Sequence, residues 1–250
     1  MIAARPTAGT SGRWRRAVCA ALFSLLPGLA GAAGLQVSPT TVEVAATRGA
    51  GGLTLVNNSA RPLTAQTRVF RWTQADGQDV LEPSTDLVVS PPMLELPPGG
   101  TQLVRVIRTG PPPQHEAAYR LIVDELPVEQ PEGEPGAALR FALRYSIPVF
   151  LGPADGEPTA PVLHARVTAD RDGRQFELQN LGNGRAQVAA LAYLAPSGER
   201  ISIAPGLSGY VLAGQLRRWP LSDQLATPLG GAFEARINGE PSARTLALDH

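Results

Sequence analysis

Residues 119–153 read as two long strands joined by a loop of proline, glycine and glutamate. In the second strand Leu139, Phe141, Leu143 and Tyr145 fall on one face. Arg140, Arg144 and Ser146 fall on the other, with small Ala142 between them. Alternation with a period of two is the signature of a half-buried strand. Such a strand can line its own core, or it can be offered to a protein that lacks one.

Elsewhere turn residues break the alternation at short intervals. Residues 53–56 stop at Asn57-Asn58, 67–72 end near Asp76-Gly77, 87–89 run into Ser90-Pro91-Pro92, and 102–107 stop at Gly110 and the prolines after it. Gly49-Ala50-Gly51-Gly52 reads as a hairpin turn. The segment from Gly152 to Pro158 is the best linker, because few contacts can cross so much Gly and Pro. Beyond it, strands are expected at 162–169, 175–180, 187–194, 200–203, 210–220, 233–237 and 244–248. Residues 186–195 would suit a helix on propensity alone but are read as a strand. Turns spaced in this way suggest β-sandwiches.

Composition supports that picture. With 24 prolines and 26 glycines, long helices have little room. The expected fold is all-β, with two sandwich domains at 34–153 and 158–250. Residues 1–33 read as a signal peptide: Arg13, Trp14, Arg15 and Arg16 precede an apolar run that ends at Ala30-Gly31-Ala32. The run is too short for a good membrane anchor, so an exported mature chain that is not inserted in the membrane is expected. The single cysteine, Cys19, lies in that leader, which leaves the mature chain no disulfide or thiolate. Residues 1–33 carry four arginines and no acid, so cleavage takes the formal charge from 0 to −4. A mildly acidic chain argues against nucleic acid as a partner. His115, His164 and His250 stand apart without metal-ligand spacing, and neither GxSxG nor a phosphate loop is present. No enzyme, metal or cofactor is expected.

Three pieces carry a resemblance to a known family. They are Arg68-Val69-Phe70-Arg71-Trp72, then Ser90-Pro91-Pro92 followed by Pro98-Gly99, and Glu116 followed by the run from Tyr119 to Pro127, YRLIVDELP. The chain resembles the periplasmic chaperones of the chaperone–usher pathway, and YRLIVDELP with the later SIPVF is closer to the archaic branch than to the branch of P and type 1 pili. The resemblance implies two immunoglobulin-like domains in an L or boomerang. It implies pilus or fimbrial subunits and an outer-membrane usher as partners, with donor-strand complementation as the mechanism. The lent strand is then 139–150, with Leu139, Phe141, Leu143 and Tyr145 entering the subunit groove. The loop 128–138, rich in Glu, Pro and Gly, is expected to be mobile until a partner orders it. An exported immunoglobulin-like fibre subunit or adhesin is the alternative. Such a subunit should begin with a free alternating donor segment, whereas this chain enters a strand almost directly after Gly34.

The resemblance also implies an arginine and a lysine that hold the subunit's terminal carboxylate, but Thr41 and Pro148 stand at those positions. All 22 basic residues are arginine, so that pair cannot exist here. Antiparallel pairing of 119–127 with 139–150 brings Arg120 beside Ser146, near the vacated position. Arg120 is therefore the first candidate anchor and Arg144 the second, since arginine can hold a carboxylate by two parallel hydrogen bonds. Glu125 matches a family glutamate of a charge network between the domains; the network's usual arginine would fall at Gly152, so Glu125 is read as structural.

Overall fold

Alternation of buried and exposed positions sets the strands of the first sandwich. The computed structural model describes residues 34–127, 142–171, 173–222, 225 and 230–249. The expected leader 1–33, the loop 128–138, and Leu139 and Phe141 lie outside them. The first ten strands are β1 (Leu35–Ser38), β2 (Val42–Val44), β3 (Ala50–Asn57), β4 (Leu63–Ala75), β5 (Gln78–Pro83), β6 (Leu87–Ser90), β7 (Met93–Leu96), β8 (Thr101–Arg108), β9 (Ala117–Leu126) and β10 (Arg144–Leu151). They make one sheet in the order β1-β3-β8-β6 and another in the order β2-β10-β9-β4-β5, with β7 also paired to β4. Between these sheets Leu55, Val104, Leu121, Val123 and Val149 are fully buried. Burying each such side chain contributes roughly 1.5–3 kcal/mol.

The second sandwich follows with β11 (Leu163–Asp170), β12 (Gly173–Asn180), β13 (Ala186–Leu194), β14 (Arg200–Val211), β15 (Leu216–Pro220), β16 (Ala232–Ile237) and β17 (Arg244–Leu246). Its sheets run β11-β12-β15 and β14-β13-β16-β17, around a core that includes Phe176, Leu178, Val188, Leu191 and Phe233. The chain is thus all-β through its described residues, in two sandwiches. A third apolar cluster joins them, with Trp72, Ala118 and Phe150 from the first and Tyr210 and Leu212 from the second.

Several expectations needed correction. Ala50, Gly51 and Gly52 belong to β3 and only Gly49, at φ 63°, turns the chain. The other glycines serve packing: a Cβ on Gly52 would sit 2.7 Å from the Val104 carbonyl oxygen, and one on Gly51 would sit 3.0 Å from Val42 and Val44. Residues 210–220 are not one strand, because Gly214 at φ 71° turns the chain between β14 and β15. Conversely β14 runs through Pro205 and Gly206, its pairing with β13 shifted by bulges around Ala189 and Leu191. The lent strand, expected over 139–150, begins at Arg144 among the described residues. Its register also differs. Arg120 is paired with Pro148 and not with Ser146, a shift of two residues that keeps the same face. The ladder ends at Arg144 opposite Asp124, where the two side chains form an ion pair. A count from the loop ends could not include that lock.

Candidate functional site

Strand β10 is the functional candidate because its two edges differ. One edge pairs with β9 from Arg144 to Leu151. The other pairs in parallel with β2, but only over Val149–Leu151. Among the described residues the outer edge from Arg144 to Pro148 therefore has no strand partner, and its backbone groups are available for one.

The inward face of β10 carries Ile147, Val149 and Leu151, all buried in the first core. Tyr145 is half-buried against the same core, and its hydroxyl donates to the Leu35 carbonyl. Leu143, just ahead of the strand, is 38% exposed. Its Cδ1 lies close to Gly34, 3.5 Å from where a Cβ would stand there. Of the four expected groove residues, these two are placed at the unpaired end of β10, while Leu139 and Phe141 fall outside the described residues.

The outward face turns to the second sandwich. Phe150 lies 6.1 Å from Trp72 and 5.8 Å from Tyr210 between ring centroids, and Tyr210 meets Trp72 edge-on at 5.4 Å. Arg120 is half-buried at the rim of this cluster. Its guanidinium carbon sits 3.7 Å from the Trp72 ring centroid and 5.8 Å from that of Tyr210, a stacking geometry that favours a planar cation. Nη1 donates to the Ser146 carbonyl at 3.4 Å. Burial lowers the pKa of Arg120, opposed by the nearby Asp79 carboxylate. Among the described residues Arg120 makes no ion pair, so the donors not engaged by Ser146 are open to an added carboxylate.

Arg144 is engaged differently. Asp124, 12% exposed at its side chain, receives Arg144 on Oδ1 and Arg68 on Oδ2. Burial alone would raise the Asp124 pKa, but the hydrogen bonds from Arg144 and Arg68 outweigh it and hold the carboxyl below its usual range. Arg144 thus already has a partner, and it lies at the far end of β10 from the aromatic cluster. Glu125 is half-exposed, pairs through its backbone with Leu143, and makes no ion pair among the described residues.

The charged contacts between the sandwiches centre on Arg185, which sequence reasoning did not single out. Arg185 of the second sandwich reaches Glu116 and Glu43 of the first and stacks on Phe150 at 3.7 Å. Burial raises the Glu116 pKa in spite of the opposing pull of Arg185. Thr41, at one vacated anchor position, lines a cleft of about 680 Å³ beside the linker. That cleft carries Glu43, Glu116 and Glu157 against Arg48 and Arg185. Acids outnumber arginines there, whereas Arg120 makes no ion pair among the described residues. No local pattern could have found Arg185, whose partner Glu116 is 69 residues away.

The fold is shared with solved chaperones. A chaperone–tip adhesion subunit complex from the archaic chaperone–usher Csu pili of Acinetobacter baumannii matches with a TM-score of 0.68 at 23% identity, over 85% of this chain and 97% of that one. The Salmonella enterica SafA pilin in complex with the SafB chaperone matches with a TM-score of 0.59 at 20% identity, over 86% and 96%. The E. coli chaperone DraB matches with 0.58 at 17%, over 86% and 98%. No curated protein matches the chain in sequence. Residues 34–157 match the family of the pili and flagellar-assembly chaperone, PapD N-terminal domain. The first sandwich with its half-paired β10 is therefore that domain, and the chain belongs to the pilus-assembly chaperone family.

Proposed function

We propose that the chain is a periplasmic chaperone that captures pilus or fimbrial subunits by donor-strand complementation and delivers them to an outer-membrane usher. The outer edge of β10, unpaired from Arg144 to Pro148 among the described residues, carries this reading. A subunit lacking its last strand would complete its sheet on that edge, with backbone hydrogen bonds for affinity and alternate side chains for fit. Leu139, Phe141 and Leu143 would fill the groove, with Tyr145 at its end. Each side chain buried there contributes roughly 1.5–3 kcal/mol. Two of the solved relatives are held with a subunit, and export is supported by the leader read in residues 1–33. Arg120 is the preferred anchor for the subunit's terminal carboxylate, with Arg144 second because it would first have to release Asp124. Glu125 takes a structural place at the end of β9.

The test replaces Phe141 and Leu143 with serine in the mature chain and measures co-purification of a co-expressed pilus subunit. Loss of capture by a variant whose circular dichroism and thermal midpoint match the wild type is expected. Unchanged capture by that folded variant contradicts groove filling.

A further inference from the structure

Gln74 lies one residue before the end of β4, and its side chain leaves the first sandwich for the second. Its Nε2 donates to the Tyr210 carbonyl at 2.8 Å, and its Oε1 accepts the Leu212 N–H at 3.1 Å. In return the side-chain oxygen of Gln215 accepts the Gln74 N–H. The two amides thus imitate a short ladder between the edge of β4 and the turn that follows β14. Nearby, the Arg218 N–H reaches the Gly77 carbonyl at 3.3 Å and Arg217 Nη1 lies 2.8 Å from Asp79 Oδ1.

What this clamp holds is the wall of the Arg120 site. Tyr210 is 5% exposed and stands edge-on to Trp72, and Arg120 lies against both rings. Arg120 and Trp72 come from the first sandwich, but Tyr210 comes from the second, and Gln74 grips the backbone at Tyr210. A guanidinium held against fixed rings loses less freedom when it binds a carboxylate than one that must be ordered on binding. Both clamp residues are neutral, and Gln74 Nε2 also donates to Asp79 Oδ1 at 2.9 Å, so the clamp fixes both the rings beside Arg120 and the carboxylate that acts on it.

We propose that the second sandwich completes the subunit anchor. Gln74 and Gln215 act as positioning residues that seat Tyr210 against Trp72 and so aim Arg120 at the Ser146 end of β10. The proposal rests on the reading of Arg120 as the carboxylate anchor, and the test separates the two.

The mature chain and its Gln74→Ala, Gln215→Ala and Arg120→Ala variants are titrated with a purified pilus subunit bearing a free C-terminal carboxylate, and with the same subunit amidated there. Gln74→Ala weakens binding of the free-carboxylate form about tenfold, the scale expected from losing the side-chain hydrogen bonds to Tyr210, Leu212 and Asp79 that orient a charged contact. It leaves binding of the amidated form unchanged and shifts tryptophan emission to the red as Trp72 gains solvent. Gln215→Ala acts in the same direction with a smaller effect, and it carries the test if Gln74→Ala does not fold. Equal losses for both subunit forms would mean a general structural role and overturn the proposal, as would no loss from either variant. If Arg120→Ala leaves the preference for the free carboxylate intact, the anchor reading itself has failed. If Arg120→Ala abolishes that preference while both glutamine variants keep it, only the positioning role is wrong.

Discussion

Arg120 on β9 and Pro148 on β10 face each other across an antiparallel ladder, on the side of the sheet turned to the second sandwich. Proline has no charge to offer where the family resemblance implies a lysine. The arginine directly opposite projects from the same face and stacks on Trp72 with its donors uncommitted to any ion pair among the described residues. The sheet thus carries a cation on that face one strand away from Pro148.

Replacing Arg120 therefore has a specific expected outcome. Arg120→Ala weakens subunit capture roughly ten- to hundredfold, from the loss of about 1.5–3 kcal/mol of charge-assisted hydrogen bonding. Arg120→Lys recovers only part of it, because an ammonium lacks the two-pronged geometry. Isothermal titration with free and amidated subunits gives the cycle: amidation costs the wild type a similar amount and the Arg120→Ala variant little more. Independent, additive losses would pass the role to Arg144.

Asp124 fixes the start of β10 through Arg144 and Arg68, and its effect depends on pH. Its folded pKa lies below the unfolded value of 3.8. Its contribution is therefore complete above that value and is lost as pH falls through the folded pKa. Asp124→Asn should cost about 1.5–3 kcal/mol at neutral pH. Chemical denaturation at pH 7 and near pH 2 should show the difference between variant and wild type shrinking in acid. A constant difference would mean that the carboxylate charge is not what matters.

Gly77 tests the contact between the sandwiches. It turns β4 into β5 at φ 77°, and a Cβ there would stand 2.7 Å from Arg218 Cγ. Arg218 is flexible enough to shift, but the left-handed backbone remains strained for alanine. Gly77→Ala should destabilise the chain by about 1–2 kcal/mol, seen as a lower thermal midpoint. A midpoint equal to the wild type would show that the turn tolerates a side chain.

The strands most legible in the sequence are those with one buried face. In β8 Val104 and Val106 alternate into the core while Leu103, Arg105 and Ile107 stay exposed, and the Asp76-Gly77 pair marks the β4–β5 hairpin. In β13 helix-forming Ala189 and Ala192 are held extended by partners on both sides, and Ala190, at φ 53°, is skipped by both ladders in the bulge. Propensity alone could not decide there. The edge strand β5, exposed almost throughout, has no buried face to announce it. The register of β9 with β10 was legible only as to face, because a two-residue slip leaves alternation unchanged. The clamp at Gln74 and the Arg185 ion pairs join residues 69 to 142 positions apart, and no local pattern encodes such contacts.

The most direct measurement is amide hydrogen exchange over residues 143–148, in the free mature chain and in its complex with a pilus subunit. In the free chain the amides that point away from β9 have no ladder partner among the described residues and should exchange fast. In the complex the same amides should become strongly protected, as the subunit's strand pairs along the outer edge of β10. A stable complex that leaves exchange at 143–148 unchanged and protects a different surface would contradict strand lending.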